Sequence, residues 1–152
     1  MSQMKNPDIN LEWLNGKLPI INGIIYPNGN IDWLNVNVID GKRSIENGSQ
    51  LHINDLIADD ELGFADVYIR GKVEDDKRDV TIYCGEGSFG GDGFVVVESR
   101  KDKKAVWIAF FEESNPFEKV EVVGEFIYVY NNLKEKWRFC INKPTEIIIE
   151  LA

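Results

Sequence analysis

The sequence is poor in the residues on which much metal and nucleophilic chemistry depends. Its 152 residues hold one histidine, His52, and two cysteines, Cys84 and Cys140. One imidazole and two distant thiols cannot make a Cys/His zinc site. His52 is the sole imidazole base, and it sits inside the strand-like Gln50-Leu51-His52-Ile53. That placement favours a structural histidine. There is no G-x-S-x-G elbow, and no neighbouring cation in the sequence lowers the pKa of Cys84. No apolar run approaches the roughly 20 residues of a membrane helix. The start, MSQMKNPDINLEW, has no apolar h-region, so no secretory signal is expected. A cytoplasmic protein with two free thiols follows as the expectation. The letters Asn47-Gly48-Ser49 then carry no meaning as a glycosylation sequon.

Positive charge is also in deficit. Lys and Arg number 17 against 26 Asp and Glu, a formal net charge of −9. Such acidity repels phosphates, so neither DNA nor RNA is expected as a partner. A basic protein or a small ligand is compatible with it. Hydrophobic residues at 43% are enough for a real core, and the length suits one domain over 1–152.

What is present is period-two alternation. Leu34, Val36 and Val38 share one face of 31–38, Val67, Ile69 and Val73 one face of 66–73, and Trp137, Phe139 and Ile141 one face of 137–141. These are half-buried strands. Residues 94–97, 105–111, 126–130 and 147–149 are apolar on both faces and read as strands covered on both sides. Turn chemistry separates the runs: Pro27-Asn28-Gly29-Asn30, Asp40-Gly41, Asp75-Asp76-Lys77, Lys101-Asp102-Lys103-Lys104, and Asn131-Asn132-Leu133-Lys134. Helical signal is confined to Asp8–Leu14 before Gly16, and to Asn54–Leu62 before Gly63. Leu11-Glu12-Trp13-Leu14-Asn15 nearly repeats as Ile31-Asp32-Trp33-Leu34-Asn35, but two copies do not make a solenoid. The expected fold is mainly β. It is a single-domain antiparallel β-sandwich or rolled, barrel-like sheet of about ten short strands, with one or two short helices.

Residues 85–90, GEGSFG, match the glycine pattern G-x-G-x-x-G. A dinucleotide site needs a helix after that pattern, whereas Gly90-Gly91-Asp92-Gly93 leads into the strand-like Phe94–Val97. The kinase version needs a lysine on the following strand and an H-R-D loop, and neither is present. The stretch reads as a hairpin loop needing several positive φ angles. No cofactor is expected. The acidic strings Asp59-Asp60-Glu61 and Glu74-Asp75-Asp76 do not match the calcium-loop spacing, and read as solvated turns. With 26 acidic residues, no carboxylate pair stands out as a glycosidase pair.

The remaining signal is surface charge. Between Arg43 and Arg70 there is no lysine or arginine, while the interval carries Glu46, Asp55, Asp59, Asp60, Glu61 and Asp66. A second stretch, Glu112-Glu113-Ser114-Asn115-Pro116-Phe117-Glu118, mixes acids with an aromatic. The glycine loop offers Glu86, Phe89 and Asp92. Charges beside aromatics are common at protein interfaces. The candidate partner-binding residues are therefore Asp55, Asp59, Asp60, Glu61, Asp66, Glu86, Phe89, Asp92, Glu112, Glu113 and Phe117.

Three strings, GGDGFVVVE (90–98), WIAFFEESNPFEKVEV (107–122) and YVYNNLKEKWRF (128–139), together resemble small cytosolic immunity proteins that accompany bacterial toxins of contact-dependent or polymorphic type. The resemblance covers about the C-terminal third. It implies a non-catalytic inhibitor that binds a cognate toxin domain, often a nuclease, and blocks its active site or substrate path. No family catalytic residue carries over. The alternative is a ligand-binding β-domain, for example for carbohydrate, with four tryptophans and five tyrosines as stacking platforms. That alternative requires some of Trp13, Trp33, Trp107 and Trp137 to be exposed in a groove.

Overall fold

A computed structural model describes residues 8–58 and 62–152. It is mainly β, with twelve strands in two antiparallel sheets and two short helices among those residues. The elements run α1 (Ile9–Leu14), β1 (Lys17–Pro19), β2 (Gly23–Ile25), β3 (Asn30–Ile39), β4 (Lys42–His52), α2 (Ile53–Ala58), β5 (Phe64–Asp75), β6 (Val80–Gly87), β7 (Gly93–Ser99), β8 (Ala105–Phe111), β9 (Phe117–Val123), β10 (Phe126–Asn131), β11 (Glu135–Cys140) and β12 (Lys143–Leu151). The large sheet has the order β1-β5-β6-β7-β8-β2-β3-β4, and the small sheet β12-β11-β10-β9. No helix among the described residues is long and apolar enough to cross a membrane.

The two sheets enclose the main core. Trp137 packs its ring 5.0 Å from Phe111 and 5.2 Å from Phe117, between centroids. Val95, Val97, Trp107, Ile127, Val129 and Phe139 surround this aromatic group. A second core lies on the outer face of the large sheet, where α1, α2 and the segment at Ile20–Ile21 cover Phe94, Val96, Ile108 and Phe110. β7 is therefore buried on both faces, as its apolar run predicts, and so is β8 except at Val106, which is exposed.

The third layer explains where that expectation fails. Nothing covers the small sheet from outside among the described residues. Residues 126–130 alternate, with Ile127 and Val129 buried and Phe126, Tyr128 and Tyr130 half-buried. The outer rings are shielded instead by the cations Arg138, Lys136 and Lys119, at 4.5, 5.2 and 5.3 Å from Phe126, Tyr128 and Tyr130. Ile148, in the 147–149 run, is likewise exposed.

Helix α1 begins as expected, with the Asp8 carboxylate accepting from the N–H groups of Asn10 and Leu11. The second helix ends its described span at Ala58. The hairpin turns fall where predicted. In the last of them Lys134, rather than an asparagine, takes the positive φ of 60°. Asn131 serves instead through its side-chain oxygen, which accepts from Leu133 N–H and Glu135 N–H. Two inward assignments fail. A bulge between Ile69 and Gly71 in β5 reverses the alternation, so that Val67 packs on the outer core and Val73 on the inter-sheet core, while Ile69, on the face of Val67, is 53% exposed. Val38, at the far end of the β3–β4 hairpin, is also exposed.

Candidate functional site

The β3–β4 ladder carries a bulge. Asp32 pairs with Gln50 and Leu34 with Asn47, so the single residue Trp33 faces two residues, Gly48 and Ser49. β3 itself keeps its alternation: Ile31 belongs to the outer core and Leu34 to the inter-sheet core. Trp33 thus emerges on the side of the large sheet that α1 and α2 cover, at the margin of that cover. It is 43% exposed, against 7% for Trp13, 2% for Trp107 and 0% for Trp137.

Three clefts are lined in part by Trp33. The first has a volume of about 370 Å³, and Ile20, Ile21, Leu51 and Leu56 line it with Asn22, Asp55 and Glu112. The Asn22 side-chain oxygen accepts from Glu112 N–H at 2.7 Å, tying the β2 approach to the end of β8. The second, about 280 Å³, adds Asn35, Asn37, Glu46 and Glu113. The third, about 220 Å³, adds Asp32, Gln50 and Thr145. A larger open cavity of about 790 Å³ adjoins them through Asp32, Gln50, Leu51 and Asp55, and reaches Tyr26, Asn28 and His52. Among the described residues no lysine or arginine lines any of the four. Asp32, Glu46, Asp55, Glu112 and Glu113 therefore line these clefts with charge of one sign.

The groups that could carry other chemistry are engaged. The His52 Nδ1 accepts from Asn54 N–H at 3.1 Å, and its Nε2 lies 3.1 Å from the Asn28 carbonyl oxygen. An acceptor at Nδ1 requires the proton on Nε2, so both nitrogens are used in holding the start of α2 to the β2–β3 turn. The Tyr26 hydroxyl donates to Asp32 at 2.9 Å. Burial and that carboxylate push its pKa up to about 12. Cys84 is buried, and burial pushes its thiol up to about 12.

The predicted partner-binding residues divide into groups. Asp55, Glu112 and Glu113 come together around Trp33. Asp66, Glu86 and Phe89 form another group: Asp66 and Phe89 are exposed, the Asp66 carbonyl accepts from Ser88 N–H, and Glu86 pairs with Arg70 at 3.5 Å. Asp59, Asp60 and Glu61 lie outside the described residues. Two assignments are corrected. Phe117 is fully buried, because the strand after the Glu112–Pro116 turn lays it against Trp137. Asp92 is 1% exposed and its Oδ1 has no partner among the described residues. Burial pushes that carboxyl above the usual range, partly offset by its own and Gly91's backbone N–H.

The glycine loop is a hairpin connection, but not for the predicted reason. Within it only Gly90 has positive φ, at 89°. Gly85 and Gly93 are required by close approach instead. A Cβ on Gly85 would meet the Tyr68 carbonyl, and one on Gly93 the Ser114 hydroxyl and the Asn115 carbonyl. Trp33 and Asp32 were not among the predicted partner residues. A tryptophan between Asp32 and the polar Asn35 and Asn37 was the available signal, but where the cover of α1 and α2 ends has no mark in the sequence. Compared with known proteins, the chain matches no protein-family model and no curated protein.

Proposed function

We propose that this chain is an acidic interaction protein that binds and neutralises a basic toxin domain. The observation that carries the reading is the Trp33 face, where the half-exposed Trp33 shares clefts with Asp55, Glu46, Glu112 and Glu113, and no cation among the described residues lines them. Tryptophan is enriched among the few residues that dominate binding energy. A ring of like charge steers an oppositely charged partner and speeds association. A nuclease fits as the partner, because a cleft that binds phosphate is basic. The resemblance of the C-terminal third to immunity proteins supports the same reading.

The test uses the tagged protein and a variant carrying Asp55→Lys, Glu112→Lys and Glu113→Lys, all at exposed positions. Each captures partners from native cell extract at low and high salt. The expected result is one basic protein, retained by the wild type near one-to-one, released by the variant, and inactive while bound. Equal retention by the variant, or full activity in the complex, overturns the reading. Capture of nothing at either salt also overturns it and favours a ligand-binding domain.

A further inference from the structure

We infer that the groove between Trp33, α2 and the end of β8 is a receptor for a single arginine side chain of the basic partner; this rests on the interaction reading above. The groove has two chemistries in the right order for such a side chain. Its walls are the aliphatic groups of Ile20, Ile21, Leu51 and Leu56, which pack down onto the outer core. It also carries Asp55 and Glu112 from two different elements, both exposed, with the Trp33 indole beside them. Among the described residues neither carboxylate has a lysine or arginine within ion-pairing distance, whereas Glu86, Asp75 and Glu135 elsewhere on the molecule are paired.

An arginine satisfies all of these surfaces together. Its methylene stem takes the aliphatic walls, as long cationic side chains do on apolar surface. Its planar, weakly hydrated guanidinium stacks on an indole and presents several N–H donors to two carboxylates at once. Lysine is a poorer match, because its compact ammonium is strongly hydrated and has no flat face. A neutral apolar side chain would leave Asp55 and Glu112 desolvated without a counter-charge. The volume, about 370 Å³, lies near the lower end of small-ligand sites, which suits one side chain better than a whole metabolite.

The experiment titrates agmatine, which is the arginine side chain without the amino-acid carboxylate, into the ¹⁵N-labelled full-length protein at low salt. The readout is the Trp33 indole N–H resonance, assigned by its loss in Trp33→Phe. A saturable shift is expected for Trp33, with the resonances of Trp107 and Trp137 unmoved. Pentylamine and guanidinium chloride, which lack the planar head or the stem, should each bind several-fold more weakly. The Asp55→Asn/Glu112→Gln variant should weaken agmatine several-fold while its other indole resonances report an intact fold. Absence of a saturable shift, an equal response to guanidinium chloride alone, or unchanged binding by the double variant overturns the inference. Tighter binding of pentylamine overturns arginine in favour of lysine. If agmatine fails while charge reversal still releases a captured partner, this inference falls and the interaction reading stands. If agmatine binds and no partner is captured, the groove takes a guanidinium group, but the interaction reading falls and the assignment to a partner's arginine falls with it.

Discussion

The carbonyl oxygen of Trp33 lies 2.7 Å from the point that a Cβ would occupy on Gly48. A real Cβ cannot sit that close to a backbone oxygen, so the bulge opposite Trp33 depends on glycine at position 48. Gly48→Val should destabilise the fold by about 1–3 kcal/mol, the usual range for overpacking. It should also move the Trp33 indole resonance and weaken partner capture. Denaturant melts and the indole spectrum check this. An unchanged spectrum would show that the bulge tolerates a side chain.

A second relationship joins the sheets. The Glu135 Oε1 accepts from Asn131 Nδ2 at 2.7 Å, Arg43 Nη1 at 3.2 Å and Trp137 Nε1 at 3.3 Å. Glu135 is 6% exposed, and Arg43 reaches it from β4 in the other sheet. Glu135→Ala strands three donors and should cost about 3–5 kcal/mol, as when a buried pair loses one partner. Glu135→Gln keeps an acceptor and should cost about 1–2 kcal/mol. Equal losses in urea denaturation would mean that charge and hydrogen bonding here are not separable.

Asp92 gives a pH prediction. Its carboxyl is pushed up by burial, so the folded state holds its proton more tightly than the unfolded chain does. The ionised group therefore opposes folding at pH values above its folded pKa. That opposition fades as pH falls through the folded pKa toward the ordinary carboxylate value. Relative to wild type, Asp92→Asn should gain stability at pH 7 and lose that advantage near pH 4, with a narrowing gap between. Parallel stability–pH curves for the two proteins would contradict the assignment.

The thiols should differ in reactivity. Cys84 is buried with its pKa pushed up to about 12, while Cys140 is half-buried on β11. A thiol reagent at mild alkaline pH should label Cys140 in the folded protein and both cysteines in denaturant. Rapid labelling of Cys84 without denaturant would indicate that the inter-sheet core opens locally.

How far the sequence carried this fold is clearest at particular residues. Asp8 as a helix cap, the hairpin turn at Asp40-Gly41, and the doubly buried run at 94–97 were legible, because each is a local pattern with a local physical cause. Residues 126–130 and 147–149 were equally apolar, yet each is covered on one face only. Whether a strand has a second layer above it is not written in the strand. Phe117 and Asp92 looked like surface residues because their neighbours are polar, and tertiary packing draws both inside.

The two near-identical strings make the division plain. Leu11-Glu12-Trp13-Leu14-Asn15 lies in and just after helix α1, with Trp13 buried and its indole N–H donating to Glu98 at 2.7 Å. Ile31-Asp32-Trp33-Leu34-Asn35 is strand β3, with Trp33 exposed at a bulge. By itself the sequence determined the β-rich class, the turns, the acidity and the scarcity of metal-ligating and nucleophilic groups, since composition and period are local properties. The tertiary structure alone decided which tryptophan faces outward and which acids gather around it. Strand pairing and bulge position are set by contacts between residues far apart in the chain, and no local string encodes them.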